Sequence, residues 1–176
     1  MKIETERLIL REWHKSDAKD IVEGLSDFDT VKNLTAPYPY EYKYAEDFIA
    51  KNSPHSENSY YFAIQLKSTG KVIGGTNINL IDDKVKGGIW LNKNYQGCGY
   101  GTEAFSARAK FAFETLGVSK LENGFFDFNE KSWNMQRKLG YEIVGKKKNF
   151  SPALNSEVVE IVTQLTKDNY LKNKTK

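Results

Sequence analysis

Gly87-Gly88-Ile89-Trp90-Leu91-Asn92-Lys93-Asn94-Tyr95-Gln96-Gly97-Cys98-Gly99-Tyr100-Gly101-Thr102-Glu103-Ala104 joins two kinds of periodicity. Val85 to Asn92 reads as a strand. From Thr102 to Leu116 the residues Phe105, Ala109, Ala112, Phe113 and Leu116 share a broad helical face, and Gly117 stops that helix. Between them stand Gly97, Gly99 and Gly101, at alternate positions. Glycine adopts positive φ freely and lets a backbone approach a ligand closely. The loop amides, the free N–H groups of the first helical turn and the helix dipole make an anion site that suits a pyrophosphate. A plain turn between strand and helix does not need three alternating glycines.

Two common phosphate motifs do not fit. A Walker A loop needs Lys and then Ser/Thr after its last glycine, whereas Thr102-Glu103 follow here. The near-match from Gly140 to Gly145-Lys146 continues into Lys147 and has no helix behind it. The dinucleotide fingerprint G-x-G-x-x-G differs in spacing from Gly97-x-Gly99-x-Gly101, and no second βαβ unit surrounds the loop.

Upstream, Leu8 and Leu10 alternate with Arg7, Ile9 and Arg11 as in a strand. Ser16 is an N-cap candidate for a helix carrying Ala18, Ile21, Val22 and Leu25. Pro37 and Pro39 keep residues 36–40 out of a helix, and a short helix follows around Ala45, Phe48 and Ile49. Tyr60–Leu66, Val72–Leu80 and Val85–Asn92 form an antiparallel meander, turning at Ser68-Thr69-Gly70-Lys71 and at Asp82-Asp83-Lys84. Gly74-Gly75 inside the second strand implies a bulge or a close backbone approach. Downstream, Leu121–Phe128 is a strand, Asn129 and Ser132 open a short helix closed by Gly140, and Ile143-Val144 and Val158–Leu165 are strands. The order β-α-α-β-β-β-α-β-α-β-β is a mixed α/β layout.

The 176 residues suit one domain, with a core over about 5–167, and are enough to bury most of the apolar surface without disulfides or metals. Ten Phe, ten Tyr and three Trp argue against disorder. The net charge of +3 argues against a polyelectrolyte-type nucleic-acid binder. No apolar run is long enough to span a membrane, the first residues lack a signal-peptide core, and the lone Cys98 fits a reducing compartment, so a cytoplasmic location is expected. Lys146-Lys147-Lys148 and the tail 171–176 read as solvated surface, with fraying at the tail. Two His and one Cys make a zinc site improbable. Cys98 lacks a recognisable base for a thiol nucleophile. His14 reads as a surface residue and His55 as part of a polar loop. The run Tyr38, Tyr40, Tyr42, Tyr44 is either core packing or the wall of a substrate cleft.

Gln96-x-x-Gly99-x-Gly101 resembles the acyl-coenzyme A loop of the GNAT N-acetyltransferase superfamily, Q/R-x-x-G-x-G/A. Further elements, in order, are similar to its RimJ/RimL-type branch, the ribosomal-protein N-acetyltransferase group. They are Thr5-Glu6-Arg7-Leu8-Ile9-Leu10-Arg11, Asp17-Ala18, Gly70-Lys71-Val72-Ile73-Gly74, Gly99 to Ala104, Asn129-Glu130-Lys131-Ser132 and Lys138-Leu139-Gly140-Tyr141. The resemblance implies a mixed, mostly antiparallel twisted sheet flanked by helices, with splayed central strands. It implies acetyl-coenzyme A as co-substrate and an amine acceptor, either a protein N-terminus or a small molecule, with direct transfer in a ternary complex. It also implies that Ile89, Trp90 and Leu91 pair with the pantetheine arm, with an oxyanion donor near Trp90 or Leu91. Gln96, Gly97, Cys98, Gly99, Tyr100, Gly101 and Thr102 would surround the pyrophosphate. Asn129 would bind the arm near the thioester, and Ser132 would protonate the leaving thiolate. The branch places a basic glutamate about one strand after the K-x-G-F element. Lys146-Lys147-Lys148-Asn149 stand there instead, with no acid until Glu157, so the base is unassigned; Asp127 and Glu122 lie on the strand before Asn129. A non-catalytic acyl-coenzyme A binding module is the alternative. Oligomeric state, monomer or homodimer, stays open.

Overall fold

A computed structural model describes residues 1–81 and 84–174. Nine strands form one sheet in the order β1-β2-β3-β4-β5-β7-β9-β8, with β6 also paired to β4. The strands are β1 (Lys2–Glu4), β2 (Leu8–Arg11), β3 (Ser59–Leu66), β4 (Val72–Ile81), β5 (Lys84–Lys86), β6 (Ile89–Leu91), β7 (Lys120–Phe126), β8 (Glu142–Ser151) and β9 (Ser156–Thr166). Every pairing is antiparallel except β5 with β7. The mixed, flanked and splayed sheet anticipated above is therefore the observed one.

Alternation along the strands sorts the core into two layers. Leu8, Leu10, Phe62, Ile64 and Leu66 point to one face, where α4 (Tyr100–Lys110) covers them with Ala104, Phe105 and Ala109. α4 runs on through a π-helical turn, Phe111–Thr115, to Gly117 at φ +70°. α5 (Glu130–Lys138) reaches the same layer through Met135, and α6 (Lys167–Lys174) through Tyr170. The opposite face carries α1 (Ala18–Leu25), α2 (Phe28–Val31) and α3 (Tyr42–Asn52), which bury Ile21, Leu25, Val31, Ala45 and Ile49 with Trp13, Ala63 and Val72.

Several local expectations change. Ser16 caps nothing: Asp17 accepts from the His14 N–H at 2.8 Å and holds the Arg11 guanidinium with both oxygens, at 2.8 and 3.0 Å. β1 and α2 were not expected; three and four residues are too few to register as a periodicity. β8 is ten residues long and includes Lys146-Lys147-Lys148, which are exposed as expected, on an edge strand where lysines discourage further pairing. The tail is helical to Lys174, with Tyr170 stacked on Phe113 and its hydroxyl on Glu114 at 2.7 Å. The turn expected at Asp82-Asp83 lies outside the described residues. Among the described residues no helix is long and apolar enough to cross a membrane.

Candidate active site

The site begins where one strand becomes two. Gly87-Gly88 interrupts the run between β5 and β6, and β4 holds the break in place. Thr76 Oγ1 and Asn77 N donate to the Gly88 carbonyl at 2.7 and 3.3 Å, while Gly88 N donates to Asn77 Oδ1 at 3.1 Å. A side chain at residue 87 would run into the Asn77 carbonyl, so only glycine fits there. β5 meets β7 at one register pair, Lys86↔Glu122, and past it β6 pairs with β4 alone. One edge of β6 therefore faces a gap. The ladder is bounded by Gly88–Asn77 and Asn92–Ile73 bonds. Antiparallel alternation then turns the Trp90 peptide groups toward Gly75, and those of Ile89 and Leu91 toward the gap. Of the two residues expected near an oxyanion, Leu91 is thus the one whose N–H faces the opening. Its carbonyl accepts from Gln96 Nε2 at 2.9 Å, which gives the loop glutamine a structural task.

The loop leads into α4 with left-handed backbone at Gly97 (φ +79°) and Gly99 (φ +82°). Gly101 does not follow this pattern. It lies within the first turn of α4, and its small size matters because a β-carbon there would stand 3.2 Å from Leu91 Cδ1 and 3.4 Å from Met135 Sδ. The N–H groups of Tyr100, Gly101 and Thr102 belong to the unpaired start of the helix. A latch from the chain's start steadies this end. Glu103 accepts from Thr5 Oγ1 (2.6 Å), Arg7 N (2.8 Å) and Arg7 Nε (2.7 Å). Arg7 also donates to the Cys98 carbonyl at 2.9 Å and lies 4.4 Å over the Tyr100 ring. Partial burial pushes the Glu103 carboxyl up, but the Thr5 and Arg7 bonds outweigh it and hold the pKa below the ordinary value. The positive charge of Arg7 therefore flanks the loop. Cys98 is exposed, with only a 3.8 Å sulfur contact to the Gln96 carbonyl.

α5 carries the other two residues expected at the site. Asn129 is its N-cap, accepting from Ser132 N at 3.3 Å, so Ser132 does not itself cap the helix. Ser132 Oγ accepts from Gln136 Nε2 at 3.0 Å, and Gln136, fully buried, accepts from Thr163 Oγ1 of β9 at 2.5 Å. This chain of bonds leaves the Ser132 hydroxyl proton free to be donated outward.

On the other face, between α1, α3 and the β4–β6 ladder, lies a cavity of about 620 Å³ that reaches Asn77, Gly88 and Ile89. Trp13, Tyr40, Tyr44, Phe48, Tyr61 and Trp90 give it an aromatic wall, and Asp47 and Lys51 line it as well. Gly75 leaves room for both indoles: a β-carbon there would come within 2.7 Å of Trp13 Cζ2 and 2.9 Å of Trp90 Nε1. The Trp13 Nε1–H is buried without an acceptor among the described residues. Burial pushes the Tyr40 hydroxyl up to about 12, so it stays a donor at neutral pH. Half of the tyrosine run lines the cavity. Tyr42 and Tyr44 start α3, which breaks the alternation and brings Tyr44 onto Tyr40 at 5.8 Å, while Tyr38 packs on Phe28.

The carboxylates sort clearly. Asp127 is exposed, and Glu122 faces Lys86 at 3.6 Å. Glu160 of β9 was missed by sequence reasoning. Its carboxylate lies across Gly124 of β7, in the space a side chain would take, and accepts from Asn149 Nδ2 at 2.6 Å with Lys147 at 3.6 Å. Its signal was a glycine within a strand, legible only once the β7–β9 register is known. His14 is exposed, as expected. His55 is not a solvent-facing loop residue: its ring packs on Phe62 at 4.6 Å, with Nε2 2.8 Å from the Tyr61 carbonyl.

Comparison with known proteins matches residues 7–142 to the acetyltransferase (GNAT) domain. An uncharacterised N-acetyltransferase of Bacillus licheniformis is 25% identical over 94% of this chain and 96% of its own. A GNAT-family acetyltransferase of Bacillus anthracis superposes with a TM-score of 0.84 at 22% identity, covering 96% of this chain and 99% of that one. A protein assigned as a ribosomal-protein-serine acetyltransferase in Vibrio cholerae does so with a TM-score of 0.78 at 25% identity, covering 94% and 97%.

Proposed function

The chain belongs to the GNAT acetyltransferase family and is an acyltransferase, and on that premise we propose that it moves an acetyl group from acetyl-coenzyme A to an amine, by direct transfer in a ternary complex. The observation that carries this reading is the unpaired edge of β6, which leads straight into the glycine loop at the start of α4. The amides from Gly97 to Thr102 take the pyrophosphate. Ile89 and Leu91 pair with the pantetheine arm, and Asn129 meets it near the thioester.

The amine enters from the aromatic cavity. As its nitrogen attacks, the N–C bond forms and the thioester oxygen gains charge, which a gap-facing N–H of β6, that of Ile89 or Leu91, stabilises; such donors are worth about 10²–10³ in rate. Glu160 accepts the amine proton, directly or through water. Collapse breaks the C–S bond, and Ser132 passes its proton to the thiolate as it takes one from water, while Gln136 Nε2 donates to its oxygen. The acceptor is a protein α-amine, as the Vibrio cholerae relative and the RimJ/RimL-type elements suggest, or a small-molecule amine that fits the aromatic wall. Release of free thiol across a panel of amines, peptides with free N-termini included, tests the reading. Turnover with one class supports it, whereas tight coenzyme A binding without turnover on any amine would leave a binding module.

A further inference from the structure

Arg108 is fully buried between α4 and the sheet, and none of its three nitrogens has a hydrogen-bond partner among the described residues. Its guanidinium lies 4.4 Å over the Phe105 ring, with the Tyr141 hydroxyl, also unpartnered, beside it. Burial pushes its pKa down, with Tyr141 opposing, yet a guanidinium in a protein keeps its proton. A desolvated cation with no counter-ion and only a phenol hydroxyl beside it is expensive, and an apolar side chain of similar volume would serve packing better. The position of the charge is therefore informative. Arg108 Nη2 lies 2.8 Å from where a β-carbon of Gly87 would stand, and Gly87 follows the last β5–β7 pair. The cation thus sits beneath the apex of the splay. Asn123, the next residue along β7, is 7% exposed, and its amide makes no hydrogen bond among the described residues. Its Oδ1 is 3.9 Å from the β-carbon position of Gly88.

A pantetheine arm running from the α4 loop past Leu91, with its thioester at the gap-facing N–H of Ile89, points its acyl group at this apex. Whatever the acyl group carries beyond the carbonyl is then directed toward Asn123 and Arg108. An acetyl methyl leaves the cation unpaired, whereas a carboxylate two or three carbons out would meet the guanidinium fork with both oxygens. We propose that Arg108, with Asn123 and Tyr141, binds the terminal carboxylate of a short dicarboxylic acyl group, so that malonyl and succinyl thioesters of coenzyme A serve as donors beside acetyl. The inference rests on the coenzyme A reading of β6. The reaction is unchanged: the N–C bond forms, the C–S bond breaks, and the thiolate takes a proton, while the distal carboxylate keeps its charge.

Calorimetric titration with free, acetyl-, malonyl- and succinyl-coenzyme A tests this without an acceptor. At least one dicarboxylic thioester should bind about 10–100-fold more tightly than the acetyl form, as a charge-assisted contact allows. Arg108→Met should bring that ratio to about one without lowering Tm, and Asn123→Ala should reduce it while Arg108 is intact. Equal binding of the acetyl and dicarboxylic forms by the unaltered protein, or a ratio unmoved in both variants, overturns the proposal while leaving the coenzyme A site standing. No binding of free coenzyme A would remove both. Should Arg108→Met fail to fold, the wild-type ratio and Asn123→Ala decide.

Discussion

The two faces of the sheet offer a ligand different materials. On the α4 side the candidate groups are mostly peptide N–H: the edge of β6, the loop and the open start of a helix. On the α1–α3 side they are rings, six aromatic side chains around a cavity, with a buried indole N–H that finds no acceptor among the described residues. A backbone site has its dipoles fixed by the fold and recognises a ligand common to many proteins. A side-chain site can change its contents without disturbing the strands beneath. The first therefore suits an invariant donor and the second a particular acceptor.

That contrast breaks most visibly at the groups assigned to proton transfer. Glu160→Gln should lower kcat at neutral pH by about 10²–10⁴, the range of a general base, with the affinity for coenzyme A unchanged in titration. Ser132→Ala should lower kcat by roughly 10–10³ and leave KM for the thioester nearly unmoved. Ser132→Ala also leaves the Nε2–H of buried Gln136 without its acceptor and should cost about 1–3 kcal/mol in denaturant unfolding, while Asn129→Ala, which removes the cap, should cost about 1 kcal/mol. Loss of Tm with kcat intact in Ser132→Ala would take Ser132 out of the chemistry.

Affinity comes next. Gly99→Val forces a β-branched residue to φ +82° and should weaken coenzyme A binding by about 10–100-fold, from the usual cost of such strain. Gly101→Val, at helical φ, should do less. Equal losses would show that crowding, not backbone conformation, governs the loop. On the opposite face, Trp13→Phe keeps an aromatic ring and removes the indole donor. It should raise KM about tenfold for whichever amine turns over, with the donor Kd unchanged; a shift in donor Kd instead would mean the two faces are not separable.

The smallest effect concerns Glu103. Its folded pKa lies below the ordinary 4.5, so its contribution to stability is complete above that value and fades as pH falls through the lower, folded one. Unfolding midpoints of the protein and Glu103→Gln should differ at pH 7 and converge in acid. A gap that persists in acid would assign the difference to shape and not to charge.

The same contrast explains what could be read from the chain alone. A backbone-lined loop leaves a trace in sequence, because glycine is strongly favoured at φ +79° (Gly97) and +82° (Gly99), and so the loop, its strand and its helix were legible. Ser132 and Asn129 were legible because a helix start has its own vocabulary. Trp13, Gly75 and Trp90, by contrast, meet only after β3, β4 and β6 have paired. Glu160 reaches Gly124 only through the β7–β9 register, and Arg108 looked like any polar position of an amphipathic helix until its neighbours were known. Gly101 was read by analogy with its neighbours in the loop, although space, not φ, explains it. The long β8 was hidden because lysines on an exposed edge strand carry no apolar alternation.

The bonds from Thr5 and Arg7 to Glu103 and the Cys98 carbonyl also have a kinetic meaning. They join positions more than ninety residues apart, so closing them requires most of the intervening chain to be organised first. The central ladder can assemble earlier, from hairpins of short sequence separation such as β3–β4. The anion loop would then be among the last parts to become rigid during refolding and among the first to exchange its amide hydrogens in the native state. Occupancy by a phosphate-bearing ligand would slow that exchange as far away as Thr5, making the chain's first residues a reporter of a site they need not touch.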